Sequence, residues 1–234
     1  EMLRFGLPLI PADMGMYLLN YFDRFFLNYL CSLSVVGLYA IGYKFGMILS
    51  TLIGTPFTMI WVAFRFEIAE RNDAKEIYAR VLTYFEFIVI FFTLWLMVLI
   101  KDIMSIVVSK EFFDAYKIVP VIAISYFFFG ANSILRMGIY LEKKTKWMFI
   151  TVWIPLIFTI ILGSIIIPRY NIMGAGIIKI VSFFFMTCIT YFISQKFYPI
   201  QYEFKRILKM VGAALLIFCI NSFICPFSLV FSLI

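Results

Sequence analysis

Residues 147–168, WMFITVWIPLIFTIILGSIIIP, contain no charged residue over 22 positions. An α-helix of this length measures about 33 Å, enough to cross the ~30 Å hydrocarbon core of a bilayer. Strands of a membrane β-barrel would instead alternate apolar and polar residues over segments of about ten residues. The run therefore predicts a membrane-spanning helix.

Six further stretches have the same character. They are 45–64, 118–135 and 210–234, which are uncharged, and 5–30, 81–100 and 172–194, which are interrupted by isolated charges. The chain of 234 residues is 64% hydrophobic and 14% charged, with a mean hydropathy of +1.02, whereas soluble domains are about 45–50% apolar and about 25% charged. We therefore predict an all-α fold, a polytopic membrane helix bundle of about seven transmembrane helices.

The residue types that most often carry catalysis and metal binding are scarce. The chain has no histidine and four cysteines, none in a CxxC pair, so neither a metal centre nor a disulfide framework is indicated. No Gly-rich P-loop for ATP is present in the sequence. The net charge of +7 is explained by basic cytoplasmic loops. We predict no cofactor, no metal and no nucleic-acid partner.

Basic residues in the connections between spans predict the orientation. The connections after spans two, four and six hold eleven lysines and arginines, and those after spans three and five hold four. Because cytoplasmic loops are enriched in basic residues, the chain should start in the cytoplasm and end outside. Residues 67–80 mix apolar and charged side chains, which predicts a short helix along the cytoplasmic surface.

The two ends of the sequence favour a piece of a longer transporter. Glu1 is not an initiator methionine, and the chain stops at Ile234 within an apolar run. A span is usually followed by interfacial anchors, which the seventh stretch lacks. The alternative is a complete, naturally half-length protein of seven spans.

Polar side chains form a stripe along the first span. Spacings of three or four residues place them on one face of a helix: Asp13, Tyr17, Asn20, Arg24 and Asn28. A charge inside a bilayer costs on the order of 2.5–3.5 kcal/mol on insertion scales and must face protein or a water-filled cavity. The stripe favours the wall of a translocation path. The alternative is that Asp23 and Arg24 neutralise each other within a packed bundle.

Other spans contain further candidates. Three of them, Lys44, Arg136 and Lys179, lie near the end of a span. Anchoring of these side chains at the membrane interface is therefore an alternative to lining a cavity. The spans contain four basic candidates and two acidic ones, Asp13 and Asp23, and this balance suits an anionic solute. Arginine binds phosphate or pyrophosphate oxygens in pairs. A carboxylated sugar is the alternative solute. Glu86 is predicted to be structural, with proton coupling as the alternative. The predicted substrate-cavity residues are Asp13, Tyr17, Asn20, Asp23, Arg24, Lys44, Asn132, Arg136 and Lys179.

Four strings carry a resemblance to a known family. They are LPLIPADMGMYLLNYFDRFFLNY at 7–29, VGLYAIGYKFG at 36–46, EFFDAYKIVPVIAISY at 111–126 and IPRYNIMGAGI at 167–177. In this order they resemble the C-terminal half of the bacterial polysaccharide (O-antigen) flippases, which belong to the MATE-like multidrug/oligosaccharidyl-lipid/polysaccharide exporter superfamily. Asp23 and Arg24 match that family's Asp-Arg pair and Lys44 its Gly-Tyr-Lys string, whereas Lys179 stands where the family usually has a small or apolar residue.

The resemblance implies one lobe of a two-lobe transporter in the bacterial cytoplasmic (inner) membrane. Residues 1–209 would form the C-terminal six-helix lobe with its cytoplasmic connectors, and 210–234 an additional, truncated transmembrane helix. The partners would be the lipid bilayer, the missing N-terminal lobe of the same protein and an undecaprenyl-pyrophosphate-linked glycan. The implied function is flipping of this lipid-linked oligosaccharide for O-antigen, lipopolysaccharide or other surface polysaccharide biosynthesis.

Three alternatives to a flippase differ in what they require. A membrane glycosyltransferase or polymerase needs catalytic groups in a sizeable extramembrane site, and the longest outer connection has only about 17 residues. A MATE-type exporter of drugs or cations should have a more acidic cavity. A scaffold protein would not need a charged stripe. We therefore predict a transporter and not an enzyme.

Overall fold

The computed structural model describes residues 6–224, and within this range the chain is helical and contains no strand. A π-helical turn, Ser50–Gly54, and a 3-10 segment, Lys110–Lys117, connect some of the helices. The α-helices are α1 Leu9–Leu30, α2 Leu33–Leu49, α3 Thr55–Ala69, α4 Ala74–Val107, α5 Val119–Leu135, α6 Met137–Leu141, α7 Trp147–Phe197 and α8 Phe204–Ile224.

The helices confirm the prediction of an all-α membrane bundle. Each predicted span coincides with a helix or with one arm of a helix, although residues 225–234 of the seventh span lie outside the described range. The segments that are long and apolar enough to cross a membrane are Leu33–Ala69, Ala74–Val107, Val119–Leu141 and Trp147–Phe197. Helix α1 has 22 residues, which is also a spanning length, but it carries three charged side chains.

The second span begins earlier than predicted. The uncharged run begins at residue 45, and the sequence predicts Lys44 near the outer end of this span, whereas the helix already begins at Leu33 and continues through the π turn to Ala69. Lys44 is exposed and lies inside this helix, so its charge marks a face and not an end. The π turn comes directly before Pro56, where a proline ring cannot fit an ordinary helical turn.

Helix α7 contains the fifth and sixth predicted spans, separated by a kink. Asn171 has φ 47° and ψ −125°, outside the helical region, and Pro168 lies one turn earlier. Asparagine adopts positive φ at a lower cost than most residues. The arms 147–170 and 172–197 therefore act as two helices, as the sequence predicted.

The surface helix predicted for residues 67–80 is absent. Helix α3 ends at Ala69, a short turn follows, and α4 then runs unbroken from Ala74 to Val107. In the turn, Arg71 Nε lies 2.9 Å from Asp73 Oδ1, and this guanidinium lowers the pKa of the Asp73 carboxyl. The charged residues of this stretch thus belong to the end of α3, to a tight connection and to the first turns of a long helix.

Helix α7 is the main packing partner in the bundle. Its largest interfaces are with α1 and α5, and α5 also packs on α2 and α4. One apolar core joins α1, α2, α5 and α7 around residues such as Leu27, Tyr39, Ile122 and Phe183. This four-helix junction positions the polar groups described next.

Candidate functional site

A buried ion pair joins α1 to the second arm of α7. Lys179 Nζ lies 3.5 Å from Asp23 Oδ1, and both residues are 2% exposed. The same ammonium donates hydrogen bonds to the backbone carbonyl oxygens of Leu19, at 3.3 Å, and Asn20. Two charges withdrawn from solvent are tolerated because each has the other and additional hydrogen bonds.

Tyrosine hydroxyls extend this pair into α2 and α5. The Tyr39 hydroxyl donates to Asp23 Oδ2, and the Tyr43 and Tyr126 hydroxyl oxygens lie 2.8 Å apart. The Tyr43 ring also contacts Lys179, whose Nζ lies 5.3 Å from the ring centroid. The polar network therefore connects all four helices of the junction.

Arg24 is left outside the ion pair. Its guanidinium carbon lies 4.3 Å from the ring centroid of Tyr43 and 5.3 Å from that of Tyr21. Its Nε is buried without a hydrogen-bond partner, and within residues 6–224 no carboxylate forms a salt bridge with it. Asp23 is thus neutralised by Lys179 and not by its sequence neighbour.

The other stripe residues of α1 lie on the outer face of this helix. Asp13, Tyr17 and Asn28 are exposed, and Asn20 is partly buried with its Nδ2 2.9 Å from the Met16 carbonyl oxygen. The opposite face is buried. The spacing prediction thus describes one real face, but Asp23 lies off it.

A second cationic group lies at the other end of α5. The Arg65 guanidinium carbon is 4.2 Å from the centroid of the Tyr140 ring, and Arg136 lies one helical turn before Tyr140 in the chain. The Nε atoms of both arginines are buried without a hydrogen-bond partner. Arg65 was counted from the sequence as a loop charge; no sequence signal distinguished it from its basic neighbours.

Asn132 and Lys44 have different surroundings. Asn132 is buried and donates from Nδ2 to Thr190 Oγ1 at 2.7 Å, which ties α5 to α7. Lys44 is exposed on α2, next to Tyr43. The structure therefore brings Asp23, Arg24 and Lys179 together, whereas Asn132 forms a separate link between helices.

A cleft of about 540 Å³ lies between α2, α3, α4 and α5. Apolar side chains form most of its wall. Its hydroxyl-bearing residues are Ser50, Thr55, Thr58, Tyr126 and Ser133. Tyr126 links the cleft to the Arg24 cluster through Tyr43. Because its wall is assembled from four helices, the sequence did not indicate this cleft.

Between residues 6 and 224 no group of three His, Cys, Asp or Glu side chains lies close enough to hold an ion. The cysteines described, Cys31, Cys188 and Cys219, are free. The polar groups of the site can instead contact an anion through guanidinium and ammonium groups and a sugar through hydroxyls.

Comparison with known proteins gives one family. Residues 1–115 match a family described as "Polysaccharide biosynthesis protein", which confirms the predicted resemblance at the level of that family. The matched residues include α1 to α4, and thus Asp23, Arg24 and Lys44, but neither Arg136 nor Lys179. No curated protein and no solved structure matches the chain.

Proposed function

We propose that this membrane protein of polysaccharide biosynthesis flips an undecaprenyl-pyrophosphate-linked oligosaccharide across the bacterial cytoplasmic membrane and catalyses no covalent step. It would supply one lobe of a MATE-like transporter, with the second lobe facing α1 and α2. The observation that carries the proposal is the guanidinium of Arg24, which has no carboxylate partner within residues 6–224 and lies beside a buried pair that already neutralises Asp23.

The electrostatics at Arg24 favour an anionic ligand. Since Lys179 satisfies Asp23, neither Arg24 nor Lys44 has an acidic partner among the salt bridges of the described residues. A guanidinium within a membrane requires a counter-charge or water. Its planar fork matches two oxygens of a phosphate, and the Tyr21 and Tyr43 rings restrict its plane. A pyrophosphate group would meet these requirements.

The hydroxyl-bearing cleft supports a carbohydrate ligand. The Thr58 and Ser133 hydroxyls donate to the backbone oxygens of Gly54 and Gly130, at 2.7 and 2.8 Å, so their own oxygens can accept hydrogen bonds from sugar hydroxyls. The cleft also has an apolar wall, which suits the carbon face of a sugar ring. We propose that the glycan reaches this cleft while the pyrophosphate binds Arg24.

The transport cycle would proceed by alternating access. A cavity open to the cytoplasm captures the pyrophosphate at Arg24 and Lys44, and rocking of the two lobes then exposes it outside. The sequence has no P-loop, so an ion gradient or removal of the product would supply the energy. The chain begins in the cytoplasm in this proposal, with the Arg71 connection on the same side.

Complementation of a strain that lacks the complete gene tests this role of Arg24. Arg24→Ala should reduce surface polysaccharide at least about tenfold, because hydrogen bonds to a charged group contribute about 1.5–3 kcal/mol. Arg24→Lys should give an intermediate level, since it keeps the charge but not the planar fork. The readout is surface polysaccharide per cell, normalised to the amount of protein in the membrane.

Arg71→Ala is the matched control, because Arg71 is exposed in the turn before α4. It should complement like the wild type. Wild-type polysaccharide levels from both Arg24 variants, at equal membrane abundance, would remove Arg24 from the mechanism. Accumulation of the lipid-linked oligosaccharide on the cytoplasmic side in the Arg24→Ala strain would distinguish a flippase from an exporter of cationic drugs.

A further inference from the structure

Three cavities follow one another along the seam between α4 and α8, away from the Arg24 site. The first, of about 820 Å³, is lined by polar residues including Lys75, Arg80 and Gln195. The second, of about 570 Å³, shares Tyr191 and Phe204 with the first. The third, of about 280 Å³, shares three apolar residues with the second, Phe127, Phe128 and Val211. The seam thus leads from the end of α4 that carries Lys75 and Arg80 to cavities lined mostly by apolar side chains.

Three buried polar side chains of α4 lie along this seam. Thr83, Glu86 and Thr93 are 8%, 1% and 8% exposed, and spacings of three and seven residues place them on one face of the helix. Glu86 lines the second cavity and Thr93 the third. Neither carboxyl oxygen of Glu86 has a hydrogen-bond partner in the part of the chain that the structure describes. A carboxylate in this state would be among the most costly groups in the bundle.

The groups that face Glu86 show which ligand it can take. Helix α5 contributes only apolar side chains to the second cavity, and α7 contributes the uncharged polar groups of Thr187, Cys188 and Tyr191. From α8, the one charged side chain lining this cavity is that of Lys205, which is exposed. A divalent cation prefers six or more oxygen ligands, and none of the described residues brings a second carboxylate to this cavity. A single proton is the ligand that this environment can stabilise.

We propose that Glu86 is a proton-binding site that holds its proton at neutral pH and exchanges it with the basic end of α4. In the neutral acid no charge is buried, so the absence of a counter-ion carries little cost. Lys205 lies at the edge of the same cavity, where it can stabilise the carboxylate that forms when the proton leaves.

The group that exchanges this proton is Glu203. It lies in the connection between α7 and α8 and lines the first cavity together with Lys75 and Arg80. Thr83 Oγ1 donates to Glu203 Oε2 at 3.0 Å. The Glu203 side chain is 28% exposed, and its Oε1 is ion-paired with Arg206 Nη1 at 2.8 Å, which leaves Oε2 to take the proton. Thr83 lies one helical turn before Glu86.

Tyr202, the residue before Glu203, lines the first cavity. Its hydroxyl is buried without a hydrogen-bond partner among the described residues, and burial raises the pKa of this phenol, so it stays protonated. In the exchange, the O–H bond of the Glu86 acid breaks, a new O–H bond forms on the Glu203 carboxylate through intervening water, and the negative charge moves to Glu86.

In the proposed transporter, proton binding at Glu86 would be coupled to transport of the glycan. Only this coupling rests on the proposed function. Protonation of Glu86 would be the same whether or not the chain carries a glycan. The proton would enter from the side that also holds Lys75 and Arg80, predicted to be cytoplasmic. Its binding and release can therefore be measured without a transport substrate.

Infrared spectroscopy of the full chain in lipid nanodiscs tests the site directly. At neutral pH the wild type should show the C=O band of a buried carboxylic acid, and this band should disappear in Glu86→Gln, which is nearly isosteric and should fold. Glu76→Gln is the matched control because the Glu76 side chain is 72% exposed, and it should keep the band. Absence of the band in the wild type, or its persistence in Glu86→Gln, would overturn the proposal.

The exchange route has its own readout. After transfer to heavy water, the Glu86 band should shift at least roughly tenfold more slowly in Thr83→Val and in Glu203→Gln than in the wild type, since a positioned group speeds proton transfer by about 10²–10⁴. Equal rates in the variants and the wild type would exclude this route. If the Arg24 variants complement like the wild type, the proposed function fails. The infrared spectra would still show whether Glu86 binds a proton.

Discussion

Lys179→Met is expected to lower the free energy of unfolding by about 3–5 kcal/mol, the usual cost of removing one partner of a buried ion pair. Asp23 would remain at 2% exposure with only the Tyr39 hydroxyl as a side-chain partner. The long apolar part of lysine is retained by methionine, so the change removes the charge more than the packing. Equilibrium unfolding in mixed detergent micelles, followed by circular dichroism, measures the difference.

A double variant separates the charge from the packing. Asp23→Asn with Lys179→Met should recover most of the loss, because replacing both members of a buried pair is often neutral or stabilising. Lys44→Met is the matched control, since Lys44 is exposed on α2 and surface substitutions usually stay within about 0.5 kcal/mol. Additive losses in the double variant would mean that Asp23 and Lys179 do not form a pair.

The pairing of Asp23 illustrates what the sequence could not show. Adjacent residues on a helix do not face each other, so the proximity of Asp23 and Arg24 in sequence was a poor guide to pairing. The actual partner is 156 positions away. Lys179 was correctly selected as unusual within an apolar span, but its partner depends on how α1 packs against α7.

The helices themselves were largely predictable because the bilayer imposes a simple rule. Long uncharged runs must be helical to satisfy their backbone groups, and the arms of α7 follow this rule on both sides of Asn171. The start of α2 does not follow from this rule, because the uncharged run begins only after Lys44 and the sequence therefore places this lysine near the end of the span. An exposed lysine within a helix is compatible with the fold, and its charge alone does not define a boundary.

Cavities between helices are harder to predict from sequence than the polar face of a single helix. The stripe on α1 follows from periodicity alone, whereas the hydroxyl cleft requires residues of four helices to meet. Glu86 was visible in the sequence as a charge within span three, yet only the cavities around it show that it has no partner. Thr83 and Glu203 could not be linked from sequence, since they are 120 positions apart.

The second large loss of stability is expected where α2 packs closely on the start of α5. A Cβ atom on Gly42 would overlap Ile118 Cγ2 and would lie 2.8 Å from the backbone oxygen of Ala115. One turn later, a Cβ on Gly46 would lie 2.6 Å from Ile122 Cβ. Small residues spaced by four let two membrane helices approach closely, and here they let α2 reach the 3-10 segment and α5.

Gly42→Val should therefore destabilise the bundle by about 3 kcal/mol or more, at the upper end of the range for overpacking. The backbone oxygen of Ala115 cannot rotate away, so the helices must separate. Since Tyr39 lies one turn before Gly42, this separation would also withdraw its hydroxyl from Asp23. Unfolding in mixed micelles gives the magnitude. Gly212→Val is the control, because a Cβ there meets nothing within 4 Å; a loss as large as that of Gly42→Val would show that valine itself, and not the close approach of α2 to α5, is responsible.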